Sequence, residues 1–252
     1  MSNHNVTLVL GANGSIGQYV TEYEASYGLV VGTYRKKDKV TTRLQQNPNV
    51  FMYYQDFLEN SDTKDLVDFA RSKGTINKVY FLAGESWKVA WDNCTLTDFR
   101  KSIDLCALPV ASLIKELEPE LTDTENFMRW AQISGMASRI VTDGPNKPTT
   151  GGAKLLAEFY FQSASAYYSH CKNVFTTLVL GYSRRTKNHS AGYNAKDVEN
   201  QPLIGYQSDA RDSAEYLIWL NSKSNKYITG TTILADGGTS IRTREKYSES
   251  KD

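Results

Sequence analysis

Apolar and polar positions along this chain follow two alternating rhythms. Residues 6–10 form a nearly unbroken apolar run, as suits a strand covered on both faces. Gly11, Gly14 and Gly17 follow at once, and then Ile16, Tyr19, Val20, Tyr23 and Tyr27 recur at helical spacing up to Gly28, a helix stop. The tyrosines of that helix are expected in the core. The strand rhythm returns at residues 29–34, 50–54, 78–82, 127–134, 174–180 and 231–234. Between these runs, helical spacing predicts helices over 62–71, 97–117, 151–170 and 209–220. The second of these reads as one long helix with Phe99, Ile103, Leu113 and Leu117 on its apolar face, ended near Pro119. Strand alternating with helix predicts a Rossmann-type α/β fold: one doubly wound parallel sheet with right-handed crossovers.

Two segments break the alternation. Residues 184–208 are polar, with Gly192, Asn194, Pro202 and Gly205, and are expected to form a lid over a substrate. Residues 241–252 are charged and poor in apolar side chains, and read as a tail. Residues 1–240 then make a single domain, which suits a chain of 252 residues.

Charge and composition narrow the partners. With 29 basic and 28 acidic residues the net charge is +1, which points away from nucleic acid and from an anionic membrane. No targeting segment and no membrane-length apolar run is visible, so a cytoplasmic protein is expected. Cys94, Cys106 and Cys171 lack metal-ligand spacing and suit reduced thiols, and the three histidines are scattered, so no metal site is expected.

Candidate chemistry begins at the glycine loop. A strand running into Gly11, Gly14 and Gly17 and then a helix turns the free N–H groups of the helix start toward phosphate. Gly11, Asn13, Ser15, Ile16 and Gly17 are therefore candidate cofactor ligands. At the end of the second strand an acid would hold a ribose 2'-hydroxyl, whereas bases accept a 2'-phosphate. The chain reads Tyr34-Arg35-Lys36-Lys37, so Arg35 and Lys36 point to NADP(H) over NAD(H), with Asp38 too late to reach the ribose. A plain solvated basic turn remains the alternative.

Several landmarks together resemble the short-chain dehydrogenase/reductase family over nearly the whole chain. They are the glycine loop, Asp56 with Phe57 after the third strand, Leu82-Ala83-Gly84, Leu180-Gly181, Ile228-Thr229-Gly230 and Asp236-Gly237-Gly238. The resemblance implies adenine contact at Asp56, cofactor contacts at Ala83, Gly84 and Gly181, and pairing of subunits into a homodimer or homotetramer. It also implies a catalytic Tyr, a Lys four residues on, a preceding Ser and an Asn on the long helix. Against that pattern the chain has Thr150 for Tyr, Lys154 in place, Gly135 for Ser with Ser134 and Ser138 close by, and Cys106 for Asn. A threonine hydroxyl is too weak an acid to replace a phenol near neutral pH.

Lys154 can still grip the nicotinamide ribose. Thr150, Asp143 and Tyr182 complete the candidate catalytic set, with Glu85 and Tyr193 as further acids and Trp87 and Trp91 as candidate walls for a small organic substrate. Tyr160, Phe161, Tyr167 and Tyr168 are expected to serve core or subunit packing. Literal Tyr-x-x-x-Lys matches at Tyr168–Lys172 and Tyr247–Lys251 lie in the wrong structural context. The leading expectation is an NADPH-dependent reductase acting on an activated C=C, C=N or C=O bond. The alternatives are a non-redox enzyme on the same fold or a catalytically silent dinucleotide-binding subunit.

Overall fold

A computed structural model describes residues 4–85, 87, 89–139, 147–181, 202–205 and 208–241. Seven parallel strands form one sheet: β1 (Asn5–Leu10), β2 (Leu29–Tyr34), β3 (Val50–Tyr54), β4 (Thr75–Phe81), β5 (Arg129–Gly135), β6 (Val174–Leu180) and β7 (Thr231–Ala235). Their spatial order is β3-β2-β1-β4-β5-β6-β7, with every neighbour parallel. This is the expected doubly wound Rossmann-type sheet.

Because successive strand side chains point to opposite faces, the sheet carries two cores. On one face Leu8, Leu10, Val79, Phe81 and Trp130 pack beneath α3 (Lys64–Arg71), α5 (Leu108–Glu116) and α7 (Pro148–Tyr167). Trp130 anchors that side, its ring 5.2 Å from Phe161 edge-on and 5.8 Å from Phe175 in a stack. On the other face Val9, Val30, Tyr80 and Leu178 meet α1 (Gly17–Glu24) and α8 (Ala210–Leu220), the latter through Ala214, Leu217 and Leu220.

Several local expectations are corrected. The predicted single helix over 97–117 is broken into α4 (Leu96–Cys106) and α5, and α6 (Glu118–Thr122) follows. The break falls at Ala107, whose N–H gives the last α4 bond to the Ile103 carbonyl at 2.9 Å. Pro109 has no N–H to give to the Leu105 carbonyl, so the chain restarts with proline in the first turn of α5. Tyr23 and Tyr27 are not core residues: they are 42% and 74% exposed and pack on each other, ring centroids 5.0 Å apart. Periodicity also missed α2 (Lys39–Leu44), six residues held by a capping box between Asp38 and Thr41. Finally, α7 begins at Pro148, so Thr150 is a helical residue and not part of the preceding loop. Proline is favoured at that first position because its fixed φ suits a helix and its missing N–H would be unsatisfied there anyway.

Most of the predicted lid and the tail beyond Ile241 lie outside the described residues. Within the lid, residues 202–205 rest on the turn after β7, where the Ile204 N–H donates to the Gly237 carbonyl at 3.3 Å.

Candidate functional site

The chain leaves β1 for β2 on one side and returns to β4 on the other, which opens a crevice at the carboxyl ends of β1 and β4. Two loops meet there. A Cβ on Gly11, whose φ is +83°, would stand 2.9 Å from the Ala83 nitrogen, and one on Gly17 would stand 2.1 Å from the Gly11 carbonyl oxygen. Glycine is required at both positions because backbone already fills the space. The Gly11 N–H donates to the Thr33 hydroxyl at 2.9 Å and the Ala12 N–H to the Thr33 carbonyl at 2.9 Å, which pins the loop to β2. Thr33 was not legible as a site residue, since a lone threonine in a strand carries no signal.

After these bonds, the N–H groups of Asn13, Ser15, Ile16 and Gly17 take no partner among the described residues, and no side chain caps α1. Unpaired donors at a helix start attract an anion. The Asn13 side chain is committed elsewhere: its amide donates to the Lys36 carbonyl at 3.0 Å and the Thr41 hydroxyl at 3.1 Å. It thereby ties the glycine loop to the basic turn after β2. Asp38 closes the same turn as the cap of α2. Burial works to raise its carboxyl pKa, but hydrogen bonds from Thr41, Asn13 and Val40 outweigh that and hold it below the ordinary value. Arg35 reaches across the crevice to Glu85, at 3.2 Å.

Lys154 arrives from α7. Its Nζ lies 3.4 Å from where a Gly84 Cβ would be, with the Cys106 Sγ 3.9 Å from the same point. The structure thus brings Gly84, Lys154 and Cys106 together beside the glycine loop. Asp56 accepts the Leu58 N–H at 2.9 Å in a local turn. The Phe57 side chain is buried in the core, so only its backbone is left for a ligand.

The β5–α7 side is built differently. Thr150 is 1% exposed, and its hydroxyl has no partner among the described residues. The 3-10 turn Met136–Ser138 packs tightly on α7, since a Cβ on Gly151 would stand 2.4 Å from the Ala137 carbonyl oxygen. Ser138 lies 3.1 Å from Ser134 and 2.9 Å from the Gly135 carbonyl, and reaches the carboxylate of Glu158 at 2.8 Å. Glu158 is buried, pairs with Arg139 and accepts from Thr232 at 3.4 Å. Glu158 and Arg139 were missed by sequence reasoning. The available signal was an acid four residues after Lys154, and so on the same face of a helix packed on the sheet. Asp143, Tyr182 and Tyr193 lie outside the described residues. Trp87 packs partly buried on the core and Trp91 is exposed beside Phe99. Tyr168 ends α7 and is buried there, while Phe161 is core.

Gly181 and Asp236 close the far side of the site. The Gly181 N–H donates to the Ala235 carbonyl at 3.0 Å, and a Cβ on Gly181 would stand 2.5 Å from the Asp236 Cα. Burial pushes the Asp236 carboxyl pKa up, but bonds from Ser240 and Gly238 prevail and lower it.

Fold and crevice together define a Rossmann-type α/β protein. A protein-family model described as enoyl-(acyl carrier protein) reductase matches residues 11–240. The chain belongs to the short-chain dehydrogenase/reductase family of oxidoreductases. Among solved structures, a short-chain type dehydrogenase/reductase from Mycobacterium ulcerans is 19% identical, covering 95% of this chain and 91% of its own, with a TM-score of 0.83. ElxO with NADP bound is 18% identical, covering 95% and 100%, at 0.82. A blue fluorescent protein from a metagenomic library in complex with NADPH is 16% identical, covering 94% and 98%, at 0.83. At these identities the likeness is one of fold. No curated protein matches the sequence. Among the described residues no helix is long and apolar enough to cross a membrane, and no cluster of three or more His, Cys, Asp or Glu side chains is placed to hold a metal ion.

Proposed function

We propose that the protein is an NADPH-dependent reductase with an atypical active site, passing hydride to an activated C=C, C=N or C=O bond of a small organic molecule. The observation that carries this reading is the row of four N–H groups at Asn13, Ser15, Ile16 and Gly17 that have no partner among the described residues, flanked by Arg35 and Lys36 on one side and Lys154 on the other. Such a row fits a pyrophosphate, the basic turn fits a 2'-phosphate, and Lys154 is within reach of a ribose placed against Gly84. NADP(H) bound in two structural neighbours supports the same choice. The bound dinucleotide would supply the hydride. The chain's own residues would hold it: the loop N–H groups on the pyrophosphate, Lys154 on the ribose hydroxyls, and Asp56, Ala83, Gly84 and Gly181 lining its path.

Thr150 is the point of departure from ordinary carbonyl reduction. Its hydroxyl is both weakly acidic and shut away from solvent, so the proton must come from another group, with Asp143 and Tyr182 as the candidates. The same burial favours a second reading, in which the site binds nucleotide without reducing a carbonyl. Exposed Leu155, Phe159 and Tyr167 on α7, the first two at i,i+4 spacing, support pairing with a second copy, and light scattering at the monomer mass would refute that.

Titration of the purified protein with NADPH and NADH, followed by nicotinamide fluorescence, tests the cofactor reading directly. NADPH is expected to bind, and Lys154→Ala to weaken it by about tenfold or more, the worth of a charge-assisted hydrogen bond. Binding of neither nucleotide would sink the proposal. NADPH binding without turnover on any activated acceptor would favour the second reading.

A further inference from the structure

Of the three bases that follow β2, one is already engaged. Arg35 forms an ion pair with Glu85 at 3.2 Å, while among the described residues Lys36 and Lys37 form none. The geometry of this pair is unusual in what it spans. Arg35 leaves the end of β2 and Glu85 follows β4, the two strands on either side of β1. Adjacent strands lie about 4.8 Å apart, so the pair bridges roughly 10 Å from one side of β1 to the other, at the end of the sheet where β1 runs into the glycine loop. The two side chains are 47% and 43% exposed, so neither is locked in by packing.

The Asn13 amide holds the Lys36 carbonyl, which fixes the turn that presents these bases to the crevice. A ligand phosphate approaching the turn meets Arg35 with its charge already matched by a carboxylate. A 2'-phosphate must take Arg35 from Glu85 and then sit near the released negative charge. A 2'-hydroxyl makes no such demand, because it carries no charge to be matched.

We infer that Glu85 is a specificity-determining residue of the dinucleotide site: it competes with the 2'-phosphate for Arg35 and so lowers the preference for NADPH over NADH. This inference rests on the cofactor reading above and adds to it a residue from the opposite side of the crevice. The competition is modest, because an exposed ion pair contributes little and water screens both charges. Glu85 acts through Arg35, so its effect must vanish, or nearly so, where Arg35 is gone.

The test is equilibrium binding of NADPH and of NADH to the full-length protein and to Glu85→Gln, Arg35→Ala and the double variant, read by nicotinamide fluorescence and checked by calorimetry. Glu85→Gln keeps the shape and removes the charge at an exposed position. It is expected to tighten NADPH by about two- to fivefold, the range an exposed pair can contribute, with little change for NADH. In the Arg35→Ala background the same substitution is expected to change NADPH affinity much less. Wild-type protein that binds NADPH while Glu85→Gln leaves its affinity unchanged overturns the inference and leaves the cofactor reading standing. An equal gain with and without Arg35 also overturns it, since bulk charge would then suffice. Wild-type protein that binds neither nucleotide overturns both.

Discussion

The two halves of the crevice satisfy their polar groups in opposite ways. On the β1–β2 side the backbone donors of Asn13, Ser15, Ile16 and Gly17 have no partners among the described residues, and the bonds that exist, from Gly11 to Thr33 and from Asn13 to Lys36, hold the loop in that open state. On the β5–α7 side, Thr150 apart, the polar groups close on one another: Ser138, Arg139 and Thr232 converge on Glu158, and Ser134 joins them through Ser138. A row of open donors suits an anionic ligand. A closed network around a buried carboxylate holds two elements together, here the turn after β5 and helix α7. The same fold thus carries an open half and a stapled half, and the proposed dinucleotide belongs to the open one.

Breaking the staple should show the largest effect. Glu158→Ala removes a carboxylate that is 2% exposed and leaves Ser138 and Arg139 without it, so chemical denaturation should show a loss of about 2–3 kcal/mol. The loss falls below the roughly 3–5 kcal/mol usual for breaking a buried pair because Arg139, 30% exposed, can turn to water. The folded variant should still bind NADPH nearly as wild type does. A loss of binding larger than the loss of stability would mean that the two halves are not independent.

A smaller effect is expected from acid. Asp38 and Asp236 both have carboxyl pKa values held below the ordinary one, so their stabilising bonds are fully present above about pH 4 and are lost as pH falls through the lowered folded values. Thermal melts between neutral pH and about pH 3 should therefore shift down, with Asp236→Asn removing part of the slope. Buried Asp236 should contribute on the order of 1 kcal/mol, and exposed Asp38 less. A melting temperature independent of pH over that range would contradict the assignment of these bonds.

Thr150 should give the smallest change and the sharpest contrast. Its hydroxyl is buried and has no partner among the described residues, so Thr150→Val, which keeps the shape, should leave stability unchanged or raise it by up to about 1 kcal/mol. A clear loss of stability, or a loss of turnover like that of a catalytic group, would show that the hydroxyl has a partner in the working protein.

Much of this was legible in the order of residues. The runs at Val6, Leu29, Val50 and Val174 begin the strands where expected or within a residue, because parallel strands covered by helices are rich in apolar residues, even with Thr176 and Thr177 inside β6. The glycine loop was legible because contact between two backbones admits no side chain at Gly11 and Gly17. Helix ends were less so: the turn of α2 depends on Asp38 and Thr41 finding each other, and the break before α5 depends on one proline inside a continuous apolar face.

The chain alone determined the wound sheet, its glycine loop and the basic turn, since each follows from local pattern: alternation, backbone contact and a run of like charge. Tertiary structure alone decided which charges meet. Arg35 and Glu85 are fifty residues apart and pair only because β2 and β4 flank β1. Glu158 finds Ser138 and Arg139 only because α7 packs on the turn after β5. Long-range pairing of side chains is set by topology, and no local spacing encodes it.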